Sequence, residues 1–206
     1  MVSGSWDGTL RLWDCCSGEC LGTMVPNDPI SPNETYTSPG SSAKRGVWFV
    51  GHTEHDQVVS LDYQATVRIW GTSNDVGRLL GVMRDQQRCN TATLVRHWDV
   101  GVVLATASSD AGTFQVWSLR ERRRLGKEAS TPPGVACLAD LGEGLVLAAG
   151  MDKTLHAWEV SSGASIFTIP HHTGAAGSAD IVTKLLRLRD GRLVTCSREP
   201  RIRVWS

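Results

Sequence analysis

The sequence predicts an all-β fold assembled from repeated antiparallel sheets, and three observations predict it. Five segments close on a tryptophan, at Trp13, Trp70, Trp117, Trp158 and Trp205, with spacings of 57, 47, 41 and 47 residues. One and three places before each tryptophan every residue is apolar: Leu12 and Leu10, Ile69 and Val67, Val116 and Phe114, Ala157 and Leu155, Val204 and Ile202. Aromatic usage is also lopsided, with 8 Trp against 2 Tyr and 3 Phe, as expected where indole fills one repeated structural position. Self-similarity at this period marks a repeat architecture in which each unit is one supersecondary motif.

Each copy reads as a hairpin: a strand of small residues, a turn, then the strand that carries the tryptophan. In the first copy the turn is Asp7-Gly8. Glycine tolerates the positive φ that tight turns need, and aspartate can hydrogen-bond the local backbone. Gln64-Ala65 and Glu199-Pro200 stand at that place in the second and fifth copies. In the second strand, period-two alternation sets threonine, a long polar residue and tryptophan on one face. Four copies carry the threonine (Thr9, Thr66, Thr113, Thr154), and the polar residues are Arg11, Arg68, Gln115, His156 and Arg203. The two aliphatic residues take the other face. A sheet with indole on one side and aliphatics on the other must be covered on both sides, which sheets set radially around an axis achieve.

The first copy, Ser3-Gly4-Ser5-Trp6-Asp7-Gly8-Thr9-Leu10-Arg11-Leu12-Trp13-Asp14, resembles the signature of the WD-repeat β-propeller family. The terminal Trp-Asp pair occurs only there; the other copies end Trp70-Gly71, Trp117-Ser118, Trp158-Glu159 and Trp205-Ser206. The resemblance implies four-stranded blades, each running from an inner strand a to an outer strand d, with the hairpin above as strands b and c. Over residues 1–206 it implies about five blades, the first and last incomplete. They are a partial blade at 1–24, a loop insertion at 25–46, blades at 47–85, 91–129 and 134–170, and a partial blade at 180–206. Two readings follow: part of a larger, seven-bladed propeller, or a small propeller that closes irregularly. The insertion holds four of the eight prolines and reads as a loop that could carry a partner contact.

The family also implies a hydrogen-bonded tetrad of tryptophan, a strand-b Ser or Thr, a histidine before strand a, and the turn aspartate. Ser3, Asp7 and Trp13 match three of its members. His172, Thr195 and Trp205 match in the fifth copy, where Glu199 replaces the aspartate. Gly51-His52 lies too close to Trp70 to precede a whole strand a, so it is expected in the turn between strands a and b.

Other chemistry is excluded or weak. The amino terminus lacks the basic and apolar regions of a secretory signal, and no apolar stretch approaches the roughly 18 residues of a membrane span. The six cysteines at 15, 16, 20, 89, 137 and 196 are therefore expected as thiols in a reducing compartment, the cytoplasm or the nucleus, and the sequon at Asn33 as silent. His52-Thr53-Glu54-His55-Asp56 could supply metal ligands, but a turn cannot aim them all inward; Cys15, Cys16 and Cys20 would need a fourth ligand. No glycine-rich phosphate loop, nucleophile elbow or paired acid and base occurs. No catalytic residue, cofactor or metal is expected.

Lys and Arg number 21, as do Asp and Glu, which disfavours whole-molecule nucleic-acid binding. The charge is uneven locally: Arg120, Arg122, Arg123 and Arg124 cluster after Trp117. Seven basic residues (Lys184, Arg187, Arg189, Arg192, Arg198, Arg201, Arg203) face two acids, Asp190 and Glu199, near the carboxyl terminus. The bland reading is a solvated edge; the others are an acidic protein partner, or RNA. The function expected is a non-enzymatic scaffold for protein–protein interaction, a subunit or adaptor of a larger complex. The alternative is an RNA- or polyanion-associated subunit that uses the arginines.

Overall fold

The β-branched and aliphatic runs between turn residues all become strands, and no helix occurs among the described residues. The structure, a computed structural model, describes residues 1–27, 46–53, 56–73, 76–84, 89–108, 110–131, 134–150, 154–170, 182–197 and 202–205. It comprises two units, Met1–Arg88 and Cys89–Ser206.

The first unit holds two antiparallel meanders. One is β1 (Val2–Gly4), β2 (Leu10–Trp13) and β3 (Cys20–Met24); the other is β4 (Val47–His52), β5 (Gln57–Asp62), β6 (Thr66–Gly71) and β7 (Leu79–Arg84). The second unit holds three. They are β8 (Thr91–His97), β9 (Gly101–Ser108), β10 (Thr113–Ser118) and β11 (Arg123–Ser130); β12 (Val135–Gly142), β13 (Leu145–Gly150), β14 (Thr154–Glu159) and β15 (Ser165–Pro170); and β16 (Val182–Arg187), β17 (Leu193–Ser197) and β18 (Ile202–Trp205). In chain order, the described residues thus form one sheet of three strands, three of four and one of three. This is the all-β, blade-type architecture that the repeat implies.

The face rule of the repeat holds in detail. In the first unit Leu10 and Met24, on the aliphatic side of the first sheet, are buried with Val58 and Trp70 of the second. In the second unit Phe114 of the third sheet stacks on Trp158 of the fourth, with centroids 5.5 Å apart and planes 18° from parallel. Leu155 and Ala157, on the fourth sheet's aliphatic side, are buried with Val182 and Leu185 of the fifth. Within each unit, then, the aliphatic face of one sheet covers the indole face of the next. Burying one such side chain stabilises by about 1.5–3 kcal/mol.

One local expectation is corrected. Gly51 and His52 do not form a turn; they pair with Val59 and Val58 as the last rungs of β4, and the turn begins at Thr53, whose N–H donates to Gln57. The turn at Gln64-Ala65 forms without glycine: Ala65 takes φ 59°, the left-handed conformation that Gly8 takes at 86°. Asp62 makes this tolerable, since its Oδ1 accepts from the N–H groups of Gln64 and Thr66 at 2.9 Å each. Glu199-Pro200 lies outside the described residues, as do 28–45 of the insertion.

Candidate interaction surface

The repeated tryptophan supplies an N–H donor that must be satisfied once buried. Trp13 Nε1 donates to Ser3 Oγ (2.8 Å), Trp70 to Ser60 Oγ (2.9 Å), Trp117 to Thr106 Oγ1 (3.2 Å) and Trp205 to Thr195 Oγ1 (3.1 Å). In the fourth sheet Ala148 occupies the hydroxyl position, and Trp158 is held between the Phe114 and His156 rings. Two members of the expected tetrad therefore recur, but Asp7 does not join Trp13. Its Oδ1 accepts instead from Thr9, from the backbone N–H at 2.8 Å and the hydroxyl at 2.7 Å. Those bonds to Thr9 hold the Asp7 carboxyl below its ordinary range. His172 and Glu199 lie outside the described residues.

The second sheet contains a buried ion pair that the repeat did not foretell. Arg68 Nη1 donates to Asp62 Oδ2 at 2.6 Å, with the two side chains 3% and 1% exposed. Arginine at the polar position of strand c was legible. Its partner was not, because Asp62 replaces the first copy's Ser5 rather than its turn aspartate.

These polar groups are structural. Among the described residues no group of three or more His, Cys, Asp or Glu is placed to hold a metal ion. Glu54 and His55 of the expected ligand set lie outside them. Cys15, Cys16 and Cys20 are exposed. Cys16 N–H donates to Asp14 Oδ1 in the turn after Trp13. Burial pushes the Cys137 thiol up to about 12, so it stays protonated. No helix of the described residues is long and apolar enough to cross a membrane.

What the frame leaves outside is aromatic and basic. Trp6, in the turn between β1 and β2, is 66% exposed and stacks on Tyr63, 43% exposed, in the turn between β5 and β6; the centroids are 5.0 Å apart. Backbone bonds tie the two turns to one strand end: Val47 N–H donates to Ser5, and Tyr63 N–H to Gly46. Gly46 itself lies against Trp6, whose atoms would sit 3.2 Å from any Cβ there. Trp98 is 87% exposed, stacked on His97. Sequence reasoning read Trp6 only as part of the repeat and passed over Trp98. Their signal was that they stand outside the five periodic positions.

The structure separates the two basic clusters. Arg120, Arg122, Arg123 and Arg124 are all exposed along the connection from β10 into β11, where Arg123 pairs with Glu121 at 2.5 Å. Near the carboxyl terminus Lys184, Arg187, Arg189 and Arg192 are exposed and Arg203 is half-buried, while Arg198 and Arg201 lie outside the described residues. Arg192 pairs with Asp190 at 2.7 Å. That bond, with the Arg192 N–H, draws the Asp190 carboxyl below its usual range. Arg187 and Arg189 border an open cleft of about 410 Å³ that Thr93, Leu138, Asp140 and Leu185 also line. Its walls are the first strands of three consecutive sheets, β8, β12 and β16.

Known proteins sharpen the picture. A family model described as WD domain, G-beta repeat matches residues 1–14. The chain is 27% identical over 179 residues to zinc finger CCCH domain-containing protein 17 of Oryza sativa subsp. japonica, covering 84% of this chain and 34% of that protein. An uncharacterized WD repeat-containing protein of Schizosaccharomyces pombe is 23% identical over 100% of this chain and 51% of its own length. Pre-mRNA-processing factor 19 homolog 2 of Arabidopsis thaliana is 25% identical over 100% of this chain and 35% of its own. The chain thus spans between a third and about half the length of these relatives. Among solved structures, the computationally designed Ika8 protein superposes with a TM-score of 0.68 at 20% identity, over 99% of this chain and 54% of that one.

Proposed function

We propose that this chain, whose first repeat matches the WD-domain family model and whose relatives include WD-repeat proteins, is a non-enzymatic scaffold, a subunit or adaptor that holds other proteins within a larger complex. The observation that carries this reading is the Trp6–Tyr63 stack. Large aromatic rings dominate the energetics of protein interfaces, and here two are presented together on turns anchored to sheet edges. The tryptophans of the repeat, in contrast, are committed to hydrogen bonds or stacking inside the sheets. We assign no catalytic step to the described residues.

The exposed arginines from Arg120 to Arg124 support an acidic protein segment as the partner on that rim; RNA is the second reading, favoured by the same charge. Exposed thiols at Cys15, Cys16 and Cys20 suit a reducing compartment, the cytoplasm or the nucleus. Fractionation that recovered the chain from an oxidising lumen would refute that placement.

The test is affinity enrichment with the full chain, run in parallel with Trp6→Ala/Tyr63→Ala and with glutamate at Arg120, Arg122, Arg123 and Arg124. A stoichiometric protein lost with either variant supports the scaffold. Recovery of no stoichiometric protein overturns it. Retention of RNA that falls steeply with salt and vanishes in the glutamate variant selects the second reading.

A further inference from the structure

The third sheet brings a bare indole and a run of arginines to one end. In an antiparallel meander the first and third turns lie at the same end. The β8–β9 turn, with Trp98, and the β10–β11 turn, with Arg120 and Arg122, therefore share one edge of that sheet. They sit two strand spacings apart, about 10 Å. Neither turn belongs to the first or the last sheet. Trp98 is 87% exposed, yet its ring is fixed. One face stacks on His97, with centroids 5.5 Å apart, and His97 is itself buried. His97 Nδ1 accepts from the N–H groups of Asp99 and Val100, at 3.2 and 3.3 Å. Gly144 of the β12–β13 turn lies so close that a Cβ there would stand 2.5 Å from the His97 ring, and its N–H donates to the Arg96 carbonyl at 3.2 Å. What remains free is a broad aromatic face on a rigid support.

The charge around that face selects a polyanion. Arg96, at the end of β8, is exposed like the four arginines from Arg120 to Arg124, whereas the acids of the two turns are Asp99 and Glu121. Glu143, on the turn that supports His97, leaves the balance positive. Arg123 holds Glu121, and Arg120 and Arg122 hold no ion pair among the described residues. Charge alone would accept an acidic peptide or a nucleic acid; the indole decides between them. The face of an aromatic ring is the negative side of its quadrupole, so a carboxylate gains nothing there. Every nucleobase, in contrast, has a π-face that stacks on it. We infer that this end of the third sheet binds single-stranded RNA, with a base stacked on Trp98 and the adjoining phosphates along Arg120 and Arg122. A duplex is disfavoured, because its bases are already stacked on one another. The inference deepens the RNA reading above and rests on it, not on the scaffold surface at Trp6 and Tyr63.

The probe is an end-labelled oligouridine of about 12 nucleotides, titrated with the full chain and read by fluorescence anisotropy over a salt series. Its affinity is expected to fall steadily with salt, and its duplex with oligoadenosine to bind more weakly at each concentration. Trp98→Ala should weaken binding roughly 5- to 150-fold, the worth of one stacked base, without changing the salt slope. Trp98→Phe should restore most of that loss. Arg120→Gln/Arg122→Gln should instead flatten the slope, by about 0.7 for each arginine. All three side chains are exposed, so circular dichroism should show every variant folded. Salt-dependent binding that Trp98→Ala leaves unchanged overturns the stacking site and spares the RNA reading. Failure to bind oligouridine even at low salt overturns both. Polyglutamate that binds as tightly as oligouridine at equal charge overturns the inference in favour of an acidic protein segment.

Discussion

The fourth and fifth sheets carry matching rows, apolar throughout in the fourth and interrupted by Lys184 in the fifth, yet their strand-c residues are interior in one and at the surface in the other. Ala157 is 0% exposed and its counterpart Val204 55%; Leu155 is 2% exposed and its counterpart Ile202 71%. The strand that carries the tryptophan alternates alike in both, so exposure of these residues is decided by the neighbour. Even the fourth sheet shows this. Its rows continue onto Phe167 and Ile169 of β15, opposite Ala157 and Leu155, and there they emerge at 39% and 44% exposed beside a neighbour of only three strands. Met24, at the matching place on β3, lies beside a four-stranded neighbour and is 0% exposed. A blade is amphipathic on both faces, and its stability is that of its junctions, as expected for a repeat array.

The strongest way to break the comparison is to charge equivalent positions. Leu155→Asp places a carboxylate in a closed junction and should cost at least about 4 kcal/mol, unfolding the second unit. Ile202→Asp, read in dilute solution, should stay within about 0.5 kcal/mol. Denaturant melts of the two variants decide it. Equal destabilisation would mean that the fifth sheet's face is covered after all.

The second comparison sets the polar position of strand c in the second sheet against the same position in the fifth. Arg68→Ala leaves Asp62 buried without its cation and should cost about 3–5 kcal/mol. Arg203→Ala, at a half-buried site, should cost under about 1.5 kcal/mol. A near-neutral Arg68→Ala would show that Asp62 is adequately held by the N–H groups of Gln64 and Thr66.

Much of this was legible in the sequence, for a physical reason. Strand c alternates with period two between two buried faces, so its pattern is strong and its tryptophan unmistakable. The edges were less legible because they rest on turn chemistry. Ala65 could be read as a break in the turn motif, since the compensating Asp62 is a side-chain cap and not a turn residue. Gly51-His52 could be read as a turn because glycine is the commonest breaker, whereas the ladder carries both residues. Least legible was the interaction surface. Trp6 and Trp98 differ from the structural tryptophans only by standing outside the period, and nothing local says that one stacks on Tyr63 and the other on His97.

A smaller effect separates a buried tryptophan bond from an exposed one. Ser60→Ala strands Trp70 Nε1 inside the second sheet and should cost about 1–3 kcal/mol. Ser3→Ala frees Trp13 Nε1 where the bond lies at the surface and water can replace the hydroxyl, at about 0.5 kcal/mol or less. Thermal melts of both variants test the ordering. The reverse order would mean that Trp13 is the more enclosed indole.

The smallest effect is a titration, and it contrasts the first sheet's turn with the second's. Asp7 is held below the ordinary aspartate value of 3.8 by the Thr9 bonds, so its folded pKa lies under its unfolded one. The stabilisation it provides is then fully present above 3.8 and is lost as pH falls through the lower, folded value. Trp6 is its immediate neighbour and stacks on Tyr63, so tryptophan fluorescence should change below pH 3.8 as the turn loosens. In Asp7→Asn the amide keeps an acceptor oxygen for the Thr9 N–H but cannot titrate. The acid-side change attributable to Trp6, isolated by subtracting a Trp6→Phe control, should disappear. A Trp6 signal that persists unchanged in Asp7→Asn would show that another carboxylate controls the turn, and Asp14, lowered by the N–H groups of Cys16 and Ser17, would be the group to replace next.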